Sequence, residues 1–158
     1  MLGRVAPGRS DRHPVEGDAL VGTWRLSAAS ASAGDTKDSS PFGQSPSGLL
    51  IYTRDGTMAA LISYDERKRF SVADWIAAPS DEHADAFTTF LAYGGRYALA
   101  DGRVTHRVEV ASVENWVNTD FVRAVELDGD RLTLRTPPML LGGTERVMEL
   151  VWERVERG

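Results

Sequence analysis

A chain of 158 residues is long enough for one domain with a sizeable core, and its 42% apolar and 26% charged content is that of an ordinary globular protein. The net charge of -5 argues against nucleic acid as a partner. The lack of cysteine excludes disulfides, thiolate metal sites and cysteine nucleophiles, and His13, His83 and His106 match no metal-ligand spacing.

In chain order, residues 1–18 (MLGRVAPGRSDRHPVEGD) carry basic residues but no apolar stretch of the kind a secretion signal needs. They read as a flexible leader to a domain over 19–158, and a cytoplasmic location is expected. No apolar run approaches the roughly 20 residues of a membrane span. Leu20 to Ala28 alternates Trp24, Leu26 and Ala28 against Thr23, Arg25 and Ser27, which predicts a half-buried first strand. Ala29 to Ser47, rich in Ser, Gly, Asp and Pro, reads as a long loop. A hairpin is expected from Leu49 to Tyr64, turning at Asp55-Gly56. That register pairs Ile51 with Ala60 and puts Leu49, Ile51, Met58, Ala60, Ile62 and Tyr64 on the core face. Leu50 and Tyr52 fall on the other.

Phe70 to Ala78 is expected as a short helix capped by Ser71, and Ser80 to Ala92 as a second, with Ser80 as N-cap and Asp81 and Glu82 at its positive end. Ala84, Phe87, Phe90 and Leu91 would form its apolar stripe. Tyr93 to Val110 (YGGRYALADGRVTHRVEV) reads as two strands turning at Asp101-Gly102. This register sets Tyr97 opposite His106 and Tyr93 opposite Val110, with Tyr93, Tyr97, Leu99, Val104, His106, Val108 and Val110 on the buried face. After a loop carrying Trp116, a third hairpin turns near Gly129, with Phe121, Arg123, Val125, Leu132 and Leu134 inside. Pro137 to Thr144 reads as a break. The last strand faces Met148, Leu150 and Trp152 inward. One strand, three hairpins and a closing strand predict an all-β, eight-stranded antiparallel sheet, the size at which a sheet closes into a barrel. The helical segment, between the third and fourth strands, would cap one mouth.

The segments LVGTWRL, PFGQSPSGLLIYTRDGTM, YGGRYAL, VTHRVEV, NWVNTD with Arg123, and GDRLTL together resemble the lipocalin-like domain family of bacteria and fungi, over about Leu20 to Val155. The resemblance implies an up-and-down barrel around an internal cavity. It also implies that Trp24, in Gly22-Thr23-Trp24, plugs the closed end against an arginine of the last strand, for which Arg154 is the candidate. Related barrels include carriers and cofactor-free cyclases, so the resemblance implies the fold rather than one activity.

His106, facing inward opposite Tyr97, reads either as a buried residue held by a tyrosine or as an acid/base group. No carboxylate shares its face, which argues against a hydrolytic triad. Arg123 points inward with no evident carboxylate. It reads either as snorkelling at the mouth or as a receptor for a carboxylate, enolate or carbonyl oxygen. Tyr97, His106 and Arg123 are therefore the expected catalytic set. Met58, Tyr64, Tyr93, Trp116, Met148 and Trp152 are the expected ligand-binding wall. The leading expectation is a cofactor-independent cyclase or isomerase acting on a small hydrophobic, polyketide-like molecule of natural-product biosynthesis. The alternative is a non-catalytic carrier or sensor of a small apolar ligand. Neither reading needs a metal, a cofactor, nucleic acid or a membrane, and both are compatible with a homodimer.

Overall fold

The structure is a computed structural model that describes residues 17–156. Its strands are β1 (Gly22–Ala33), β2 (Thr36–Asp38), β3 (Ser47–Tyr52), β4 (Thr57–Ser63), β5 (Phe90–Ala100), β6 (Arg103–Ala111), β7 (Asp120–Asp128), β8 (Arg131–Arg135), β9 (Met139–Leu141) and β10 (Thr144–Arg154), with one α-helix, α1 (Ser80–Thr88). The strands pair antiparallel in the order β1-β3-β4-β5-β6-β7-β8-β10, and β10 pairs back onto β1. Eight strands thus close an up-and-down barrel, with no free edge on its wall. β2 lies beside the last residues of β1 and β9 beside the first residues of β10, so both extend the same end of the barrel.

The opposite end is sealed. Trp24 is fully buried and donates its indole N–H to the carbonyl of Leu20 at 2.9 Å. Arg154 lies over the indole at 4.1 Å. Its guanidinium also donates to the carbonyls of Val21 and Ala19, at 2.9 and 2.7 Å. The arginine expected from the last strand is therefore Arg154. It ties the 3-10 turn Gly17–Leu20 to β10, while Leu20, Leu50, Met58, Val104 and Leu132 pack the core.

The Asp101-Gly102 turn forms as the sequence dictates. Both residues adopt positive φ, 54° and 72°, and Tyr97 pairs with His106. Farther along that hairpin the pairing slips by one. Gly95 pairs with Val108 but Gly94 with Val110, so Tyr93 faces Ala111 and Val110 turns outward, 66% exposed. The bulge depends on Gly95, because a Cβ there would sit 1.9 Å from the carbonyl oxygen of Arg107.

Other expectations are corrected for similar local reasons. A bulge after Leu26 turns Ala28 outward and brings Ala29 and Ala31 in. β1 then runs on to Ala33 and β2 follows, where a loop was expected. The β3–β4 connection is Thr53 to Gly56 rather than Asp55-Gly56 alone. The Thr57 N–H is bound by the side chains of Thr53 and Asp55. Tyr52 therefore pairs with Met58, and Leu50 and Tyr52 are the core residues of β3 in place of Leu49 and Ile51. Ser71 caps no helix, and the 3-10 turn Trp75–Ala77 is capped by Asp74 instead. α1 begins at Ser80 but ends at Thr88, with no side-chain cap, and Phe90 to Ala92 belong to β5. No residue of α1 is buried and none lines the cavity described below, so the helix does not cap that mouth. Pro137 to Thr144 contains β9. The expected leader lies outside the described residues up to residue 16.

Candidate functional site

Between the Trp24 floor and the end extended by β2 and β9 lies a cavity of about 480 Å³. That is within the range of roughly 300–1,000 Å³ usual for small-molecule sites. Inward alternation on the barrel strands makes its wall mostly apolar: Leu50, Ala60 and Ile62, Leu91 and Tyr93, Leu134, and Met148, Leu150 and Trp152. Met139 and Leu141 of β9 and the Pro41-Phe42 segment complete it at the mouth. That segment is strapped down through Asp65. The Asp65 N–H donates to the Phe42 carbonyl, its carboxylate accepts from Ser45 N–H, and the Phe42 ring lies 5.0 Å from that of Tyr64.

One side of the wall is polar and aromatic. His106, 1% exposed, has both ring nitrogens engaged: Nε2 lies 2.7 Å from the Tyr52 hydroxyl and Nδ1 2.8 Å from the Tyr93 hydroxyl. Tyr52 is buried and has no other hydrogen-bond partner among the described residues, so its proton is satisfied there by donation to Nε2. His106 then carries its proton on Nδ1 and donates to Tyr93. This leaves the Tyr93 hydroxyl proton free, on a residue that lines the cavity. Burial, reinforced by the charge of Arg123, pushes His106 down to about 3, so the ring is neutral at physiological pH. Burial also pushes Tyr93 up to about 12 and Tyr52 well above the ordinary phenol range.

Arg123, on β7, reaches the cavity beside this network. Its guanidinium lies 4.9 Å from the centre of the Phe121 ring, and Tyr93 meets the same ring edge-on at 5.2 Å. Trp116 completes the cluster, 5.6 Å from Phe121 and 6.2 Å from Tyr93. Among the described residues Arg123 makes no ion pair, and its one hydrogen bond goes to the neighbouring carbonyl of Val122 at 3.1 Å. Burial without a counter-ion lowers its pKa. A second arginine, Arg146, also lines the cavity, with its Nε buried and unpartnered among the described residues. The buried indole N–H of Trp152 is unpartnered too.

Of the expected residues, His106, Arg123, Tyr64, Tyr93, Trp116, Met148 and Trp152 line this one cavity. Tyr97 does not. Its hydroxyl donates to the Thr53 carbonyl at 2.7 Å, and its ring packs on the edge of Tyr52. Met58 is buried in the core below the cavity rather than in its wall. The sequence reading missed Tyr52, which a one-residue register error placed on the wrong face. It also missed Arg146, although that residue shares the alternation of Met148, Leu150 and Trp152 and was findable by parity. Among the described residues no cluster of His, Asp and Glu could hold a metal ion, and no helix is long and apolar enough to cross a membrane.

The chain is 33% identical over 93 residues to the 4'-hydroxy-3'-methoxypropiophenone carrier protein ppsC of Aspergillus oryzae, a match covering 53% of this chain and 84% of that protein. An uncharacterized protein from Bacteroides eggerthii superposes with a TM-score of 0.43 at 13% identity, covering 86% of this chain and 99% of the other. The profile of the lipocalin-like domain matches residues 21–155, which include every strand of the barrel. The chain belongs to the lipocalin-like domain family.

Proposed function

We propose that this protein is a non-catalytic carrier of a small, mostly apolar aromatic molecule, held inside the barrel with its polar end at Arg123 and Tyr93. The observation that carries the reading is the engagement of both His106 nitrogens by tyrosines deep in the wall. A general base needs a lone pair within reach of the substrate and a pKa near the working pH. His106 has neither, since both ring nitrogens are taken by tyrosines and its pKa is pushed down to about 3. What faces the cavity is suited to binding: apolar and aromatic surface, the Tyr93 hydroxyl and the guanidiniums of Arg123 and Arg146. The name of the Aspergillus relative, a carrier of an aryl ketone, supports the same class of ligand.

The cyclase or isomerase reading keeps one supporting observation. Arg123 and the Tyr93 hydroxyl could polarise a carbonyl in a folded substrate, and confinement alone can supply rate. A single experiment separates the two. The protein is mixed with 4'-hydroxy-3'-methoxypropiophenone, the complex is weighed by native mass spectrometry, and the released ligand is analysed by chromatography. The carrier reading expects one equivalent bound and recovered unchanged. No binding contradicts it for this class of ligand, and recovery of a cyclised or isomerised product returns the site to catalysis.

A further inference from the structure

We propose that the cavity takes its ligand as an anion, with an ionised oxygen such as a carboxylate, phenolate or enolate seated on Arg123 and the free proton of Tyr93. This deepens the carrier reading and rests on it.

The argument begins from charge. The protein as a whole is acidic, at -5. The cavity wall is the reverse. Its charged side chains are Arg123, Arg146 and Asp38, an excess of one positive charge in a mostly apolar enclosure. Among the described residues neither arginine is within ion-pair distance of a carboxylate. Asp38 is exposed at the rim, and its carboxylate accepts from the Ser40 N–H at 2.9 Å. A guanidinium facing an apolar space is costly unless something neutralises it. Arg123 has only the Val122 carbonyl and the face of Phe121, which leave most of its donors unused.

The neighbouring groups point to an anion rather than a neutral acceptor. The Phe121 ring neighbours both the Arg123 guanidinium, 4.9 Å from its centre, and the ring of Tyr93, 5.2 Å from it, so the two donors share one neighbour. The Tyr93 hydroxyl accepts from His106 and can therefore donate only outward, into the cavity. Two donors, one of them charged, therefore line the same cavity beside the same ring. An anionic oxygen gains more there than a carbonyl, because it adds a charge–charge attraction to the guanidinium and makes the Tyr93 hydrogen bond one to an ionised acceptor. Arg146, with its unpartnered Nε, adds a second positive charge to the wall.

The test compares two fluorescent probes of one shape: anilinonaphthalene sulfonate, which is anionic, and phenylnaphthylamine, its uncharged counterpart. Each is titrated into the intact protein and into Arg123→Gln, with melting temperatures recorded alongside. The protein's net charge opposes the anion, so a preference for it reports the local site. The expected result is an affinity about tenfold to a hundredfold higher for the sulfonate. That ratio should fall to near one in Arg123→Gln, and by less in Arg146→Gln. Equal affinity of the intact protein for both probes overturns the anion inference and leaves the carrier reading standing. A preference that survives in a folded Arg123→Gln protein also overturns it. Failure of both probes to bind removes the cavity reading itself. If Arg123→Gln does not fold, the comparison in the intact protein still decides.

Discussion

His106 and Arg123 look alike in the sequence, as two polar residues on inward-facing positions, yet their surroundings separate them. Both line the cavity, but the two His106 nitrogens are held by tyrosines, whereas Arg123 makes a single hydrogen bond, to its neighbour's carbonyl. Replacing His106 by Ala removes two hydrogen bonds and strands the buried Tyr52 hydroxyl. It should cost roughly 2–4 kcal/mol of stability, measured by urea denaturation. Arg123→Gln should cost little stability and act on binding. The reverse pattern would mean that the histidine, not the arginine, meets the ligand. The histidine also sets a pH dependence. Its folded value of about 3 lies below its ordinary 6.5, so between those limits the unfolded chain binds a proton that the folded chain refuses. Its contribution is fully present above about pH 6.5 and declines as pH falls, by roughly 1.4 kcal/mol per unit. Between pH 6.5 and 5, where most carboxylates are still ionised, the melting temperature should drop with acidification. It should drop less in His106→Gln, and a flat profile in the unaltered protein would contradict the buried neutral ring.

At the scale of elements, the sequence was most legible where a turn and its strands agreed. Asp101-Gly102 set the Tyr97–His106 pair correctly because both turn residues carry the positive φ that a two-residue turn demands. Asp55-Gly56 has the same letters, but side chains of Thr53 and Asp55 bind into the connection and lengthen it. One residue of difference moved Tyr52 from the expected surface to the core, and with it half of the histidine's hydrogen bonding. Bulges were illegible for a related reason. They depend on close backbone contacts between strands, which alternation along one strand does not encode. The bulge at Gly95 gives a sharp prediction. Gly95→Ala would place a methyl group 1.9 Å from a backbone carbonyl oxygen. It should destabilise by about 3 kcal/mol or more, seen as a large fall in melting temperature. Arg123 on β7 and Met148 and Trp152 on β10 were legible from the inward parity of those strands, which Arg146 shares.

For the whole molecule, the barrel has one sealed end and one adapted for entry. Trp24, Arg154 and the Gly17–Leu20 turn close the floor. Arg154→Ala should lower stability by roughly 2 kcal/mol, since it loses the indole stack and two carbonyl contacts, while ligand affinity changes little. A large loss of affinity would mean that floor and cavity are coupled. The overall architecture was legible because eight alternating segments with short turns leave few ways to bury one face. The volume left inside was not, because a cavity depends on side chains that fail to meet across the barrel. The account rests on that volume being the binding site. Leu150→Trp, on the inner face of β10, would fill it while leaving the residues Arg123, Tyr93 and His106 unaltered. The deciding measurement is calorimetric titration of 4'-hydroxy-3'-methoxypropiophenone into the unaltered protein and into this variant, with circular dichroism confirming the barrel in both. One equivalent bound by the unaltered protein, with affinity at least about tenfold weaker in Leu150→Trp, is the predicted result. Equal affinity in the two would place the ligand outside the barrel and contradict the account.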